Sequence, residues 1–200
     1  MIMKISIIII AIVVLLFMAF QVWAGKTTNR TEQYSYSVLK DLGDFEVRRY
    51  ESAIFARTRI DAETYRAGSG NGFRTLASYI FGGNERNESI SMTSPVAMSW
   101  GEGMVMEFMM PSTYSLENLP APNRPDIELY EKPSVIMAGL SFGGFASDQK
   151  IREKIEELKS YLDKHNITHT GHFQYFGYNP PYQLFNRRND IVVELIGWEE

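Results

Sequence analysis

The sequence predicts a single α+β domain, in which two β-α-β-β halves form a curved, mostly antiparallel sheet or a distorted barrel flanked by two helices. Several short segments alternate apolar and polar residues, a pattern typical of half-buried strands. Two longer segments carry apolar residues at helical spacing, and amphipathic helices of this kind must bury one face against a sheet. The order strand, helix, strand, strand occurs twice, with Tyr50-Glu51 and Tyr130-Glu131 at matching places. This recurrence indicates a duplicated unit within one domain.

Residues 1–24 predict either a secretory signal peptide or an N-terminal membrane anchor. Lys4 precedes a long apolar run, and the residues up to Ala24 fit cleavage after that position. At about 1.5 Å per residue, residues 5–24 are also long enough to cross a hydrocarbon layer of ~30 Å. Both alternatives place the remaining chain outside the cytoplasm. It is then periplasmic or secreted, or anchored in the membrane by its N-terminal segment.

The folded domain is predicted to follow a short leader. The polar residues 25–33 indicate a flexible leader, and the domain extends over residues 34–197. Tyr34, Tyr36 and Val38 alternate with polar residues, which predicts the first strand.

The remainder of the first half predicts a long strand followed by a helix. Residues 45–60 indicate the strand. Asp61 is placed to cap a short helical stretch, which the glycine-rich residues 68–72 interrupt. The helix then resumes with one apolar stripe and ends at Gly82-Gly83; the stripe consists of Phe73, Leu76, Ala77, Ile80 and Phe81.

The middle of the chain predicts a hairpin and a linker. Residues 90–100 and 104–110 read as two strands, joined by a turn at Gly101-Glu102-Gly103. The second strand carries methionines on one face that either fill the core or form an adaptable ligand wall, namely Met104, Met106 and Met110. Residues 111–125 contain four prolines and predict a linker.

The second half repeats the pattern. Residues 127–142 predict a strand. A helix begins at Ser147-Asp148 and buries a stripe formed by Ile151, Ile155, Leu158 and Leu162. Two strands follow, at residues 172–178 and 191–196. Between them, Asn179-Pro180-Pro181 indicates a rigid turn, and Arg187-Arg188-Asn189-Asp190 indicates a hairpin turn.

Composition excludes several classes of site and partner. The chain has no cysteine, so it has neither disulfides nor thiolate ligands for metal or haem. Its net charge is −4, and no block of five basic residues occurs, which argues against nucleic acid as a partner. A membrane is expected as a partner only through residues 5–24, if that segment is not cleaved.

Two short patterns resemble catalytic motifs, but both have simpler structural explanations. Residues 139–143 match the G-x-S-x-G nucleophile elbow around Ser141, yet Leu140 and Phe142 continue the alternation of a strand. Residues 68–72 resemble a phosphate-binding loop, but their spacing differs from the dinucleotide fingerprint. We therefore predict no catalytic residues and no enzymatic activity.

The three histidines form the one other cluster that is typical of a site. His165, His169 and His172 are spaced H-x3-H-x2-H, and imidazole is a common metal ligand. Their predicted places are a helix end, a loop and a strand start, which do not share one helical face. We therefore predict surface histidines and no metal site.

Two specific segments carry a resemblance to a known family. Residues 92–96 read Met-Thr-Ser-Pro-Val, and residues 177–182 and 187–190 read Gly-Tyr-Asn-Pro-Pro-Tyr and Arg-Arg-Asn-Asp. Together these segments resemble the SOUL haem-binding family over residues 34–196. The resemblance implies the duplicated fold and non-covalent binding of haem or another tetrapyrrole in an apolar groove, for buffering or transport.

The predicted ligand-binding residues follow from this resemblance and from the chemistry of haem. Arg48 and Arg49 are candidates to reach the propionates, and Met92 and Met98 are candidates to line the pocket. Two further residues that match the family segments are predicted to touch the ligand, namely Tyr178 and Arg187.

The chain departs from part of the family at one position. Some vertebrate members place a histidine, taken to ligate iron, just before the tyrosine that matches Tyr50. Arg49 occupies that position here, and a guanidinium cannot ligate iron. If haem binds, its iron is held by another protein ligand or by none. Two alternatives remain, a binding module for a different apolar small molecule and an interaction protein of the cell envelope.

Overall fold

The computed structural model describes residues 2–101 and 103–198. Three helices and nine strands form in these residues, in the order α1 (Ile2–Arg30), β1 (Tyr36–Asp41), β2 (Glu46–Tyr50), β3 (Ala53–Ile60), α2 (Tyr65–Ile80), β4 (Val96–Gly101), β5 (Gly103–Met109), β6 (Ile127–Lys132), β7 (Val135–Gly143), α3 (Asp148–Lys164), β8 (Gln174–Gly177) and β9 (Arg188–Glu194). Glu102, in the predicted hairpin turn, lies outside the described residues, and Gly101 pairs with Gly103 on either side of it.

The described strands form one curled antiparallel sheet in the order β1-β2-β7-β9-β8-β4-β5-β3-β6. The predicted α+β class and curved antiparallel sheet are therefore confirmed. From the central β4–β8 pair, the order outward is β4-β5-β3-β6 on one side and β8-β9-β7-β2 on the other. These two series correspond strand for strand. Each repeat is a β-β-α-β-β unit, and the two repeats exchange their first strands, β2 and β6.

The main core lies between the sheet and two helices. α2 packs on β3 and β5, and α3 packs on β7 and β9. The predicted stripes are buried there at Leu76, Ile80, Leu158 and Leu162. The methionine face of β5 is buried as well, which confirms the core interpretation for Met104, Met106 and Met110. Because side chains alternate along strands, the other face of the sheet carries a second cluster, rich in aromatic residues: Tyr34, Tyr50, Phe55, Phe176 and Tyr178.

The predicted long strands were wrong in one respect, because each is a hairpin of two strands. Residues 45–60 divide into β2 and β3, and residues 127–142 divide into β6 and β7. A continuous strand of this length would extend about 50 Å at ~3.3 Å per residue, which is more than a domain of this size accommodates. Pro133 lies in the second reversal and lacks an N–H to continue the ladder.

The glycines of residues 68–72 were predicted to interrupt the helix, and this prediction was wrong. They lie within α2 and allow it to approach the sheet. The helix begins one residue after Thr64, whose Oγ1 accepts a hydrogen bond from the Ala67 N–H at 3.2 Å; Asp61 is not the cap. A Cβ on Gly68 would lie 2.6 Å from Met104 Sδ. Glycine lowers the helix propensity at this position, but the close packing of the helix on the strand compensates for that loss of stability.

Two other boundaries differ from the prediction because tertiary pairing decides them. β4 begins only at Val96, since Ser94 N donates to Glu32 O and Ser94 O accepts from Tyr34 N instead of pairing with a strand. Residues 188–190 belong to β9 and pair with both β7 and β8, so the predicted hairpin turn lies earlier in the chain.

Helix α1 continues to Arg30, through most of the segment that was predicted as a flexible leader. It is the helix of the described chain that is long and apolar enough to cross a membrane, over Ile5–Thr28. Its last turns dock on the domain, where Ala24 is fully buried and Thr28 Oγ1 donates to Gln183 Oε1 at 2.6 Å. These contacts explain why the polar end of α1 is helical in this fold.

Candidate functional site

A cleft of about 620 Å³ opens at the seam between the two repeats, where β4 pairs with β8. Both central strands contribute side chains to it, and so do the end of α1, the first turns of α2 and the turn after β8. Its size lies within the range of small-molecule sites, about 300–1,000 Å³. Apolar and aromatic side chains predominate in its lining, which includes Tyr65, Phe73, Phe81, Met92, Val96, Met98, Tyr175, Tyr178, Pro180, Pro181 and Tyr182.

The Met-Thr-Ser-Pro-Val segment forms one wall of this cleft and is held from both sides. Thr93 Oγ1 donates to Met109 O at 2.6 Å, and Ser94 exchanges backbone hydrogen bonds with the chain that follows α1. The Ser94–Pro95 peptide bond is cis. Ser94 Oγ is buried without a hydrogen-bond partner among the described residues, and Ser94 lines the cleft.

Arg187 organises the opposite wall, formed by the turn after β8. Its Nη1 donates to Pro180 O at 2.7 Å and to Gln183 O at 2.6 Å, and its Nη2 donates to Asn179 O at 3.2 Å. The guanidinium also lies over the ring of Phe145, at 4.3 Å from its centroid. The side chain therefore fixes the Asn-Pro-Pro turn while it lines the cleft.

The charge of Arg187 is not neutralised within the described part of the chain, where no carboxylate forms an ion pair with it. Its Nε atom is buried and has no hydrogen-bond partner among the residues that the structure describes. Burial lowers the pKa of the Arg187 guanidinium, although the group stays protonated at any physiological pH. A desolvated cation beside apolar walls favours a ligand that is itself apolar and carries a carboxylate.

Four of the six predicted ligand-binding residues line this one cleft: Met92, Met98, Tyr178 and Arg187. They are separated by up to 95 residues in sequence, and the pairing of β4 with β8 brings them together. Arg48 and Arg49 do not line it. Both lie on β2, which is three strands away from β8 in the sheet.

Arg48 instead belongs to a buried ion-pair network on the second face of the sheet. It is 2% exposed, and its Nη1 donates to Asp190 Oδ2 at 2.7 Å. Its Nε donates to Glu46 Oε2 at 2.7 Å. Arg188 and Tyr178 also donate to Asp190, whose carboxylate is fully buried. The hydrogen-bonding groups of Arg48 are used within the fold, so we exclude it from the candidate site.

The G-x-S-x-G pattern also belongs to this network. Ser141 lies within β7, where its hydroxyl donates to Asp190 Oδ1 at 2.8 Å and accepts from Arg48 Nη2 at 3.0 Å. Gly139 leaves room for Arg48, because a Cβ at that position would lie 2.7 Å from Arg48 Nη1. This strand lacks the sharp strand-to-helix turn that a nucleophile elbow requires.

The histidines lie away from the cleft lining. The ring of His165 packs on the edge of Phe45, and that of His169 packs on Phe173. Among residues 2–101 and 103–198, no group of three His, Cys, Asp or Glu side chains is arranged to hold a metal ion. The side chains in the cleft that are able to ligate iron are the thioethers of Met92 and Met98 and the phenols of Tyr65 and Tyr182. The hydroxyls of Tyr175 and Tyr178 line it too, but they donate hydrogen bonds to Asn189 and Asp190.

Sequence reasoning missed the contribution of both neighbouring helices to the cleft. Thr27 and Thr28 line it from α1, and Thr31 lines it just after the helix, although the sequence indicated a leader there. Tyr65 and Phe73 line it from α2. Phe73 stood in the predicted apolar stripe, but it is 41% exposed, and the sequence carried no signal that the sheet would leave it uncovered.

Comparison with known proteins identifies similar chains. The family profile described as SOUL heme-binding protein matches residues 31–194. Heme-binding protein 1 of Xenopus tropicalis is 28% identical over 160 residues, covering 76% of this chain and 84% of that protein. Heme-binding protein 2 of Homo sapiens is 30% identical over 158 residues, covering 74% of this chain and 77% of that protein. All of α1 precedes residues 31–194, which the family profile matches.

Solved structures with the same fold have little sequence similarity to this chain. The C-terminal domain of EcmrR superposes with a TM-score of 0.55 at 10% identity, covering 82% of this chain and 98% of that domain. A hydrolase from Listeria innocua superposes with a TM-score of 0.51 at 8% identity, covering 76% of this chain and 92% of that chain. At such identities the likeness establishes the fold alone.

Proposed function

This chain belongs to the SOUL haem-binding protein family, and we propose that it binds haem or a related tetrapyrrole non-covalently in the cleft between β4 and β8. One observation carries the proposal: an apolar cleft of about 620 Å³ is lined by the half-buried guanidinium of Arg187, which has no carboxylate partner in the described chain. A tetrapyrrole is a flat apolar ring with carboxylate side chains. It matches both properties.

The residues present fit such a ligand. The aromatic and thioether side chains offer a flat apolar surface, with Met92 and Met98 adaptable because their side chains are flexible. The guanidinium of Arg187, which lines the cleft and has no carboxylate partner among the described residues, is the candidate partner of a propionate. Bound haem supplies a redox-active iron, for which Met92, Met98, Tyr65 and Tyr182 are the candidate ligands. We assign the protein to buffering or transport of the ligand and not to catalysis.

The proposal includes the place of the protein in the cell. Helix α1 stays attached as a membrane anchor, and the domain lies outside the cytoplasm. The support is that residues before and after Ala24 contact the domain: Gln21 Nε2 donates to Tyr182 O at 3.1 Å, and Thr28 bonds to Gln183. Cleavage after Ala24 would remove the first of these contacts. Mass spectrometry of the purified membrane-derived protein tests this, and a chain that starts at Gly25 would contradict it.

A haem titration of the full chain in lipid nanodiscs tests the binding function. We expect saturable one-to-one binding with a shifted Soret band, above the partitioning measured in empty nanodiscs. The matched controls are two variants that add the same ring at different places. Gly70→Trp fills the cleft, because Gly70 lines it and has open space at its Cβ position. Gly101→Trp places the ring at the exposed β4–β5 hairpin, where space is also open.

The expected outcome is loss of saturable binding in Gly70→Trp and retention in Gly101→Trp. Non-saturable uptake of haem by the unmodified chain, or equal binding by both variants, would overturn the proposed site.

A further inference from the structure

Four apolar or aromatic side chains surround the place where α1 leaves the domain. In the turn after β8, Tyr182, Leu184 and Phe185 are exposed, Phe185 by 62%. On α1, Trp23 is exposed and stacks on Phe20, whose ring in turn contacts Tyr182. Large side chains of this kind, clustered at one place on a surface, mark an interaction site more often than single exposed residues do.

These side chains are joined to α1 by direct contacts. Gln21 accepts a hydrogen bond from Leu184 N at 2.9 Å and donates one to Tyr182 O. The rings of Phe20 and Tyr182 have centroids 5.9 Å apart. The loop 182–185 therefore lies at the level of Phe20 and Gln21 along the helix.

The length of α1 fixes where that level falls in a bilayer. Residues 5–20 are all exposed, and at 1.5 Å per residue these 16 residues reach about 24 Å. A hydrocarbon layer of about 30 Å requires roughly 20 residues, so the last turn up to Ala24 must also lie within it. That turn contains Gln21, which is bonded to loop 182–185. Helix α1 therefore places loop 182–185 at the membrane surface.

The chemistry of the residues at this level fits the boundary between headgroups and acyl chains. Tyrosine and tryptophan are enriched there because their rings are apolar and their polar groups remain hydrated. Lys26 and Arg30 follow on the next turns of α1, where they are able to reach lipid phosphates. Cleft residues Thr27 and Tyr182 come from these same two segments.

We infer that loop 182–185 inserts into the membrane interface beside α1 and places the mouth of the ligand cleft at the bilayer surface. The partner is a lipid bilayer, and the ligand enters from the membrane and not from bulk water. This inference rests on the proposed retention of α1 and deepens the proposed function by adding a second membrane contact to the helix itself.

The test uses the absence of cysteine in the chain, which makes single-cysteine variants selective. Phe185→Cys and the control Val38→Cys, which replaces an exposed apolar residue on the edge strand β1, each receive a nitroxide spin label in nanodiscs of phosphatidylcholine and phosphatidylglycerol. Oxygen collides with labels in lipid, whereas a soluble nickel chelate collides with labels in water. We expect high oxygen and low nickel accessibility at residue 185 and the reverse at residue 38.

Equal nickel accessibility at the two positions would overturn the inference, as would a mature chain that begins at Gly25. A haem titration on the same nanodiscs separates this inference from the proposed function. Saturable haem binding with a water-exposed label at residue 185 means that the membrane contact alone is wrong. A lipid-exposed label without saturable binding supports the membrane contact and rejects the haem site.

Discussion

Arg48 and Asp190, 142 residues apart in the chain, form a buried ion pair with 2.7 Å between Nη1 and Oδ2. The pair joins β2 of the first repeat to β9 of the second, across β7. Asp190 accepts further hydrogen bonds from Arg188, Ser141 and Tyr178, so both charges are compensated away from water. The network therefore stabilises the packing of β2, which belongs to the first repeat, against the strands of the second repeat.

Removal of one partner of this pair is expected to destabilise the protein strongly. Arg48→Met leaves Asp190 with only one of its two cationic partners in the core, and we expect a loss of about 3–5 kcal/mol in the free energy of unfolding. Urea denaturation of the full chain in detergent measures it. Glu128→Gln is the control, because it breaks the half-exposed pair with Arg57 and should cost about 1 kcal/mol or less. Similar losses in the two variants would contradict the assigned role.

The same carboxylate predicts acid sensitivity. Burial alone would raise the pKa of Asp190, but the hydrogen bond from Arg188 and the charges of Arg48 and Arg188 hold that pKa below its ordinary value. A lowered folded-state pKa stabilises the fold above the unfolded pKa of about 3.9, and this contribution is lost as the pH falls through the folded pKa. Stability should therefore decrease below about pH 4.

The free energy of unfolding is measured from about pH 5 to about pH 2. It should change less with pH in Asp190→Asn than in the unmodified chain. Asp126→Asn is the matched control. It removes a surface carboxylate whose pKa is also lowered, by the hydrogen bond from Arg124, and should change the pH dependence much less. An unchanged slope in Asp190→Asn would show that other groups determine acid unfolding.

Two glycine substitutions should have opposite signs. In Gly139→Ala the new methyl group meets Arg48 at 2.7 Å, and the guanidinium is fixed by its partners and unable to move aside. We expect a destabilisation of about 1–3 kcal/mol from overpacking. Gly70→Ala lies on α2 with no atom within 4 Å of the new methyl group, so its better helix propensity should stabilise the protein by up to ~1 kcal/mol. Thermal unfolding of both variants tests the contrast.

The role of Arg187 in binding is tested with two ligands that differ only in charge. Arg187→Met should weaken haem binding about tenfold to hundredfold, the range for a hydrogen bond to a charged group. Haem dimethyl ester lacks carboxylates, and its affinity should not change. Arg59→Met, at an exposed position outside the cleft, should alter neither. If both ligands lose affinity equally in Arg187→Met, the residue acts by holding the Asn-Pro-Pro turn and not by contact with a carboxylate.

The histidines are expected to have no part in ligand binding. The variant His165→Ala/His169→Ala/His172→Ala should retain the haem affinity and Soret maximum of the unmodified chain, because none of the three lines the cleft. Met92→Ala/Met98→Ala is the comparison, and it should shift the Soret band if a thioether ligates the iron. Loss of the Soret shift in the histidine variant would contradict this expectation and would indicate that the histidines take part in haem binding.

Local pattern was sufficient to predict much of the fold. The apolar stripe of α3 recurs at helical spacing, and Leu158 and Leu162 are buried as that spacing requires. The repeat order indicated a duplication, which the strand order shows. Met92 and Tyr178 were predicted as ligand-binding residues because they lie in the segments that resemble the SOUL family, and both line the cleft. Each of these inferences depends on residues that are close together in the chain.

What the tertiary structure decided is where distant residues meet. The exchange of β2 and β6 depends on pairing between residues 69 to 93 positions apart, for which no local pattern exists. For the same reason, Arg48 pairs with Asp190 instead of a ligand, and Gly68 permits close packing instead of ending a helix. The sequence by itself determined the α+β class, the apolar N-terminal helix and the family. The three-dimensional structure decided which arginine faces the cleft, because burial and charge pairing depend on contacts across the whole domain.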